Sequence, residues 1–500
     1  MIILEKRFNL SKFQLFLVIF ILSISGFAQS ISGTVLDGET NETVAFAAVQ
    51  IGDSYGVITN NEGNFEIGTS RFSPNDSLVF TFLGYKRRAV AIKDFTDQKV
   101  FLVPDINTLS EIYLIDRNLD PMTIMGKVQE NLSKNYPKQK EKFSVFQRTK
   151  ENYKTENSDF VIKKADFVNK KIVKDVNSEL ALLIQYSKGK SSNIYYDTYF
   201  EIYKNEKDSL KLDIKKGTKL INLERNTSTD NLQNKAFATI GAKLEGSNSF
   251  KLRSGIIPIS DSVDLKRTFN ASKKADTLNI KDKNREFSNH LSDFGFGKNS
   301  DFSFITDYKK YNFTIDKVFS YNDELVYVLY FEPNKGSANY SGEVYISADT
   351  YAVLKAKYKL ADGKRGNKIN LKLLLGIKYE ELSRDVLVIF NRNENSTYSL
   401  KYLKTNIEQY IYLNRSFTFI ENNKDRKDRM KLKLDILSEG INKTENEILV
   451  IDSQPLSIAD FNKINQKTKT SVQTIEKYDP TIWSPYTIIS PNQAIKDFEN

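Results

Sequence analysis

Imidazole chemistry in this chain can rest on one residue only. His290 is the single histidine, set in Phe287-Ser-Asn-His-Leu-Ser-Asp-Phe294 with Asp293 three residues on. A zinc carboxypeptidase site needs two histidines and a carboxylate on the metal together with a general base, and one histidine cannot supply it. Serine catalysis would need His290 as its base, and no Gly-x-Ser-x-Gly elbow or glycine-rich phosphate loop before a helix is present. A lone histidine in such a setting reads as a surface or packing residue. Asp and Glu total 63, so a carboxylate pair of the glycosidase kind can always form in space, but no local signature marks one. Asn60-Asn61-Glu62-Gly63-Asn64 has the oxygen-rich look of a calcium loop yet lacks the spaced acidic ligands and terminal Glu. A tight turn accounts for it. No catalytic, metal-binding or cofactor-binding residue is therefore assigned, no cofactor is expected, and the chain reads as a non-enzyme.

The elements that would carry any site belong to an exported protein. Lys6, Arg7 and Lys12 precede the apolar run Leu15 to Leu22, and Gly26 and Ala28 stand before Gln29 at signal-peptidase positions. The run is short for a membrane span. Residues 1–28 thus read as a signal peptide, and the expected location is periplasmic or associated with the outer membrane. The chain has no cysteine, which removes disulfides, reactive thiols and thiolate metal sites together. The formal net charge is +10; residues 1–28 hold three basic and one acidic side chain, so their removal leaves +8. Outside the cytoplasm a basic chain suits an anionic surface, lipid or acidic glycan, better than nucleic acid.

With 33 Phe and 26 Tyr against 10 Pro, the composition favours β-structure. Ile31 to Asp37, Val44 to Ile51, Gly56 to Thr59, Asn64 to Ile67, Asp76 to Tyr85 and Lys99 to Val103 are short strand patterns with turn signals between them. Asn60 to Gly63 is expected to close a hairpin. This spacing indicates a sandwich. Gly33-x-Val35-x-Asp37, Ala48 and Val49 before Gly56, Thr59-x-x-x-Gly63-x-Phe65, and Leu78-x-Phe80 leading to Gly84-Tyr85 resemble the carboxypeptidase regulatory-like domain of Bacteroidetes envelope proteins. Val44 stands where that family usually has Pro, and Asn60 where Asp is commoner. The resemblance implies a prealbumin-like sandwich over residues 30–103, an accessory module without peptidase chemistry.

Residues 104–137 read as a linker with a short strand at Glu111 to Ile115 and then a helix. Asp120 caps it, Pro121 opens it, Ile124, Met125, Val128 and Leu132 form its apolar stripe, and Asn135-Tyr136-Pro137 ends it. Packing of that stripe on the following sheet is expected rather than a free partner face. Residues 138–500 read as a β-rich domain, with a loosely organised polar insert at about 205–300 and weak helical signals from Leu212 to Leu223. Ile194 to Tyr203 is a tyrosine-rich strand that would suit glycan stacking or cross-strand aromatic pairs.

Asn312 to Phe319, Glu324 to Phe331, Tyr340 to Ile346, Asp349 to Leu360, Lys368 to Tyr379, Ser399 to Tyr412, Ser416 to Glu421 and Met430 to Leu437 continue as an antiparallel meander. Asn422 to Arg429 reads as a solvated loop, and Tyr478 to Tyr486, with the only Trp, as a closing segment docked on the core. Tyr340-x-Gly342-x-Val344-Tyr-Ile346 with Asp349 and Ala352-Val-Leu354 resembles the hairpin of half-barrel lipoprotein carriers. The fold class is thus mainly β: a prealbumin-like sandwich, a linker helix, and a large antiparallel sheet domain, half-barrel in one version. The expected function is a non-catalytic envelope protein that engages a protein, glycan or lipid, with a half-barrel lipid or lipoprotein carrier and a carboxylate-dependent hydrolase as alternatives. Peripheral membrane association fits the same reading.

Overall fold

A computed structural model describes residues 30–96, 98–105, 120–222, 249–265, 277–297, 300–321, 324–423, 425 and 427–498. The signal-peptide segment and the short strand at Glu111 to Ile115 lie outside the described residues.

The chain is mainly β and begins with two facing sheets. Strands β1 (Ser30–Asp37), β4 (Asn64–Gly68) and β7 (Lys99–Leu102) form one sheet in the order β4-β1-β7. Strands β2 (Ala48–Ile51), β3 (Tyr55–Ile58), β5 (Ser77–Thr81) and β6 (Arg88–Ala91) form the other in the order β3-β2-β5-β6. Val35, Val49, Ile51, Val57, Phe65, Ile67, Leu78, Phe80, Val100 and Leu102 fill the space between them. The expected strand at Val44 to Ile51 starts only at Ala48, because Phe46 turns the chain with φ 64°. The expected hairpin at Asn60 to Gly63 is instead an arch between the two sheets, since β3 and β4 belong to different ones. Asn60 Oδ1 accepts the Glu62 and Asn64 amides and Gly63 adopts φ 75°, which bends the chain without a ladder.

Helix α1 (Pro121–Asn135) begins where the sequence places it: Asp120 accepts the Met122 and Thr123 amides and Pro121 is its first residue. Beyond it lie β8 (Glu141–Ala165), α2 (Lys170–Ser187), β9 (Ser191–Lys204), β10 (Leu210–Ile221), β11 (Ser249–Ser254), β12 (Ile257–Asp264), β13 (Thr277–Asn279) and α3 (Ile280–Asp293). The polar stretch at about 205–300 is therefore structured where described. Leu212 to Ile221 is strand, not helix, because Leu212, Ile214, Leu220 and Ile221 bury against neighbours while β10 pairs with β9. Then come β14 (Tyr311–Tyr321), β15 (Glu324–Pro333), β16 (Tyr340–Ser347), β17 (Val353–Leu360), β18 (Lys368–Leu371), β19 (Ile377–Arg392), β20 (Tyr398–Glu421), β21 (Lys431–Pro455), β22 (Lys469–Ser471) and β23 (Gln473–Ile475).

One sheet unites most of these strands, in the order β14-β15-β16-β17-β19-β20-β21-β8-β9-β10-β23. Every pair along it is antiparallel except β10 with β23, and the sheet does not close into a barrel. Gly342 in β16 is required by close packing, since a methyl there would overlap the Lys357 carbonyl and the Tyr358 backbone. Two patterns look different in space. Lys368 to Tyr379 is broken by a helical turn, Lys372–Leu375, ending at Gly376 with φ 62°, whereas Ser399 to Tyr412 and Ser416 to Glu421 form one continuous strand.

Adjacent residues of the central strands enter different cores. Val145, Leu403, Ile448 and Val450 join α1, α3 and Phe302 to Ile305, while Phe146, Tyr402, Leu449 and Ile451 join the N-terminal sandwich and the segment around Trp483. The sandwich is fixed there by polar contacts too. Ser54 and Arg71 reach Asp452 at 2.7 and 3.0 Å, Phe46 stacks on Tyr402 at 5.7 Å, and buried Lys401 donates to the Gly56 carbonyl at 3.0 Å.

Burial pushes the Lys401 amine down to about 7, against the pull of nearby Asp452. The unfolded chain thus binds more protons than the folded one from about pH 7 to about 10.5, and stability is expected to rise with pH across that window. Melting temperature followed over this range should climb for the parent chain, while Lys401→Met should flatten the curve and lie above the parent at pH 7.

Candidate functional site

A cavity of about 630 Å³ lies on the helix-covered face of the sheet. Its floor is Phe143 and Val145 of β8, Ile202 of β9, Leu210 of β10, Phe390 of β19, Leu400 of β20 and Val450 of β21. Its roof is Leu132 and Tyr136 at the end of α1, with Phe287 and Leu291 of α3 and the turn through Phe294 and Phe296. These apolar side chains come from sequence positions some three hundred residues apart, brought together by the strand order.

Both helices are held so that they span the sheet rather than seal it. Asn135 Nδ2 donates to the Thr350 carbonyl at 2.9 Å and the Tyr136 hydroxyl to that of Val353 at 2.6 Å. The Tyr136 ring meets Phe296 at 4.3 Å and Phe390 at 5.2 Å, and burial raises its phenol. Helix α3 is capped by Asn279 and anchored by Phe287, edge-on to Phe200 at 5.8 Å. Lys283 is almost buried, its amine pushed down by desolvation, and it pairs with Glu286 at 3.1 Å. Burial would raise Glu286, but His290, Lys283 and Gln147 outweigh it and hold the carboxyl down to about 2.

The mouth is polar. Lys138 and Lys204 flank Asp208 at 2.5 and 3.4 Å, and despite partial desolvation they hold its carboxyl below the usual range. Glu141 beside them is raised by burial, with Lys204 pulling the other way. An apolar chamber with a few charged groups at its opening is the usual build of a small-molecule site, and its volume falls within the range of such sites.

His290 lines this cavity, yet its nearest acid is Glu286 at 3.8 Å, one helical turn earlier, rather than Asp293. Its ring stacks on Phe294 at 6.2 Å. Carboxylate pairs do form elsewhere. Asp301 and Glu381 both bind Arg384, at 2.5 and 2.6 Å, so its guanidinium occupies the space a reacting bond would need. Asp53 and Glu394 meet at the surface, where their hydrogen bond raises Glu394. Among the described residues no group of His, Cys, Asp or Glu could hold a metal ion. The side chains of Asn60 to Asn64 are engaged within the protein instead: Asn60 Oδ1 accepts the Glu62 and Asn64 amides, its Nδ2 donates to the Ser490 and Pro491 carbonyls, Glu62 accepts the Gln493 amide at 3.0 Å, and Asn64 accepts the Thr34 hydroxyl. Two tyrosines of β9 pack internally, Tyr199 on Tyr486 and Tyr195 on Phe498.

A second, smaller cavity of about 140 Å³ adjoins Asn60, Arg148, Glu445, Glu447 and Ile489. Arg148 forms a buried fork with Asp197 at 2.9 and 2.7 Å and also donates to Ile489, while Tyr402 donates to Glu447.

Sequence reasoning gave no cavity residue a ligand role. Leu132 belongs to a stripe that also packs, and the floor residues carry ordinary strand patterns. Only the sum over six strands and two helices defines the chamber.

Residues 31–114 match the family model of the CarboxypepD_reg-like domain. The N-terminal sandwich is thus a domain of that family, and the match ends before α1. No curated protein matches the chain. Among solved structures, a protein of unknown function from Bacteroides fragilis, described as membrane-associated, aligns over 84% of this chain and 97% of its own. Its identity is 8% and its TM-score 0.13. The outer membrane protein OprG from Pseudomonas aeruginosa aligns over 64% of this chain and 99% of its own, at 7% identity and a TM-score of 0.12. At such scores neither likeness carries an argument. No helix among the described residues is long and apolar enough to cross a membrane.

The Arg148–Asp197 fork should be felt in stability. Asp197→Asn leaves a buried guanidinium without its counter-charge and is expected to cost about 3–5 kcal/mol. Replacing both partners with apolar residues should cost much less, and urea titration of the single and double variants checks the difference.

Proposed function

We propose that this protein is a non-catalytic envelope component whose sheet domain holds an acyl chain in the cavity beneath α1 and α3. The regulatory-like sandwich serves it as an accessory module. The observation that carries this reading is the apolar chamber itself: its floor of Phe143, Val145, Ile202, Leu400 and Val450 faces a roof of Tyr136, Leu291 and Phe296, with charges only at the mouth. An acyl chain would lie among the aliphatic and aromatic groups, and its head group would meet Lys138, Lys204 and His290.

The enzyme alternative has less support. The two carboxylates nearest in kind to a catalytic pair are neutralised by Arg384. His290 pairs with Glu286 and stacks on Phe294, an arrangement that packing accounts for. An exported site fits the leader-like residues 1–28 and the absence of cysteine.

Native mass spectrometry and titration with palmitate and with lysophosphatidylethanolamine test the proposal. The parent chain should retain one such molecule. Leu400→Trp, which fills the chamber, should weaken binding about tenfold or more, a loss of about 1.4 kcal/mol, while Leu400→Met should leave it unchanged. A parent chain that takes up neither probe, or a Trp variant that binds as well as the parent, would exclude the cavity as an acyl site.

A further inference from the structure

Two hairpins far apart in sequence place bare aliphatic side chains side by side on the sheet's flank. At the β11–β12 turn, Ile256 is 96% exposed, followed by exposed Ile257 and Ile259. At the turn after β18, Leu373 is 102% and Leu374 82% exposed, beside exposed Ile369 and Leu371. Arg415 of β20 ties the two turns together. Its Nε donates to Ser254 Oγ at 2.6 Å, Nη2 to the Ser254 carbonyl at 2.6 Å, and Nη1 to the Leu375 carbonyl at 2.8 Å. The neighbouring amides Gly255 N and Asn414 N donate to Ser416 and Gly376 carbonyls, so both turns are locked to the same strand. Gly255 and Gly376 supply the positive φ that each turn requires, 60° and 62°.

The charge nearest these side chains is mainly basic. Residues 249–260 and 364–375 contain Lys251, Arg253, Lys364, Arg365, Lys368 and Lys372, with Asp261 and Asp362 at the edges of the two stretches. Glu380, across from Lys368, is already engaged by Lys378 at 2.8 Å. A cluster of exposed aliphatic groups this dense is unusual for a surface in contact with water alone. Protein interfaces favour Tyr, Trp, Phe and Met at their centres, and the exposed apolar side chains here are Leu and Ile with Pro258. Aliphatic tips within a basic collar match the boundary of an anionic bilayer, where acyl chains accept the tips and head groups meet the cations.

We propose that the β11–β12 and β18–β19 turns, joined by Arg415, form a docking tip that inserts Ile256, Leu373 and Leu374 into an anionic phospholipid surface. Along β20, roughly 50 Å of strand at ~3.4 Å per residue separate Arg415 from Leu400 in the cavity wall, so docking leaves the cavity mouth unobstructed. The tip is independent of what the cavity holds, and it adds no membrane span.

Flotation of the chain from Gln29 onward, which includes every described residue, with vesicles containing phosphatidylglycerol tests the proposal. The parent chain should float with these vesicles and less with phosphatidylcholine alone. Changing Ile256, Leu373 and Leu374 together to Ser should reduce partition about tenfold or more without moving the melting temperature, because these side chains touch little of the fold. Lys368→Gln with Lys372→Gln should reduce binding and flatten its salt dependence. In Leu373→Trp, vesicle binding should blue-shift emission and brominated lipids should quench it. Absence of flotation by the parent, equal flotation by the Ser variant, or a solution dimer that the Ser variant splits would each overturn the proposal. Palmitate uptake by the Ser variant reports on the cavity separately, so failure of one reading does not imitate failure of the other.

Discussion

The structure depends on central strands that are apolar on both faces. Along β8, β20 and β21, Val145 and Phe146, Leu403 and Tyr402, and Ile448 and Leu449 point in opposite directions, and all are buried. A sheet with one wet face alternates apolar with polar residues, and these strands do not. Both faces therefore need cover. The N-terminal sandwich and the segment around Trp483 supply it on one side; α1, α3 and the turn at Phe302 to Ile305 supply it on the other. At about 25 cal/mol per Å² of apolar surface removed from water, each cover contributes many kcal/mol, and neither the sandwich nor the helices can be viewed as an appendage.

This arrangement explains where the polar groups went. Burying two faces of a long sheet carries backbone and charged groups inward, and each must find a partner. Lys401 meets carbonyls of the sandwich, Asp452 meets Ser54 and Arg71, and Arg148 meets Asp197 and Ile489. The C-terminal segment returns to the first domain through Thr487, Ser490 and Gln493, which contact Tyr55, Asn60 and Glu62. The turn that looked like an ion loop is a clasp between the two ends of the chain.

Much of the fold was legible because its signals are local. Asp120-Pro121 starts a helix by satisfying amides and fixing φ, and β1 and β4 alternate in the ordinary way. What was not legible depends on partners distant in sequence. Leu212 to Ile221 has spacing that suits a weak helix, but β9 lies beside it and its backbone pairs there. Lys368 to Tyr379 alternates like one strand, yet the neighbouring strand carries Arg415, which fixes a helical turn between two short pieces. Strands as long as β8 and β21 appear shorter because a bulge shifts the alternation, as between Glu439 and Gly440. The cavity was the least legible feature. Each of its apolar lining residues is a core residue by type, and only incomplete closure of the helices over the sheet leaves space among them.

That incomplete closure is a consequence of how the helices are anchored. Helix α1 is pinned at its end through Asn135 and Tyr136 to the turn before β17, on the β14–β17 side of the sheet. Helix α3 is pinned through Phe287, Lys283 and Glu286 to β8 and β9. The two anchor points lie over different parts of a broad sheet, and Leu400 and Leu291 both line the space left between them. Bulkier residues at Val145, Leu400 or Val450, which face this space, would fill it from within. A sheet committed to two covers thus leaves its volume mismatch on the helix side, and a lined apolar space with a charged mouth is the result.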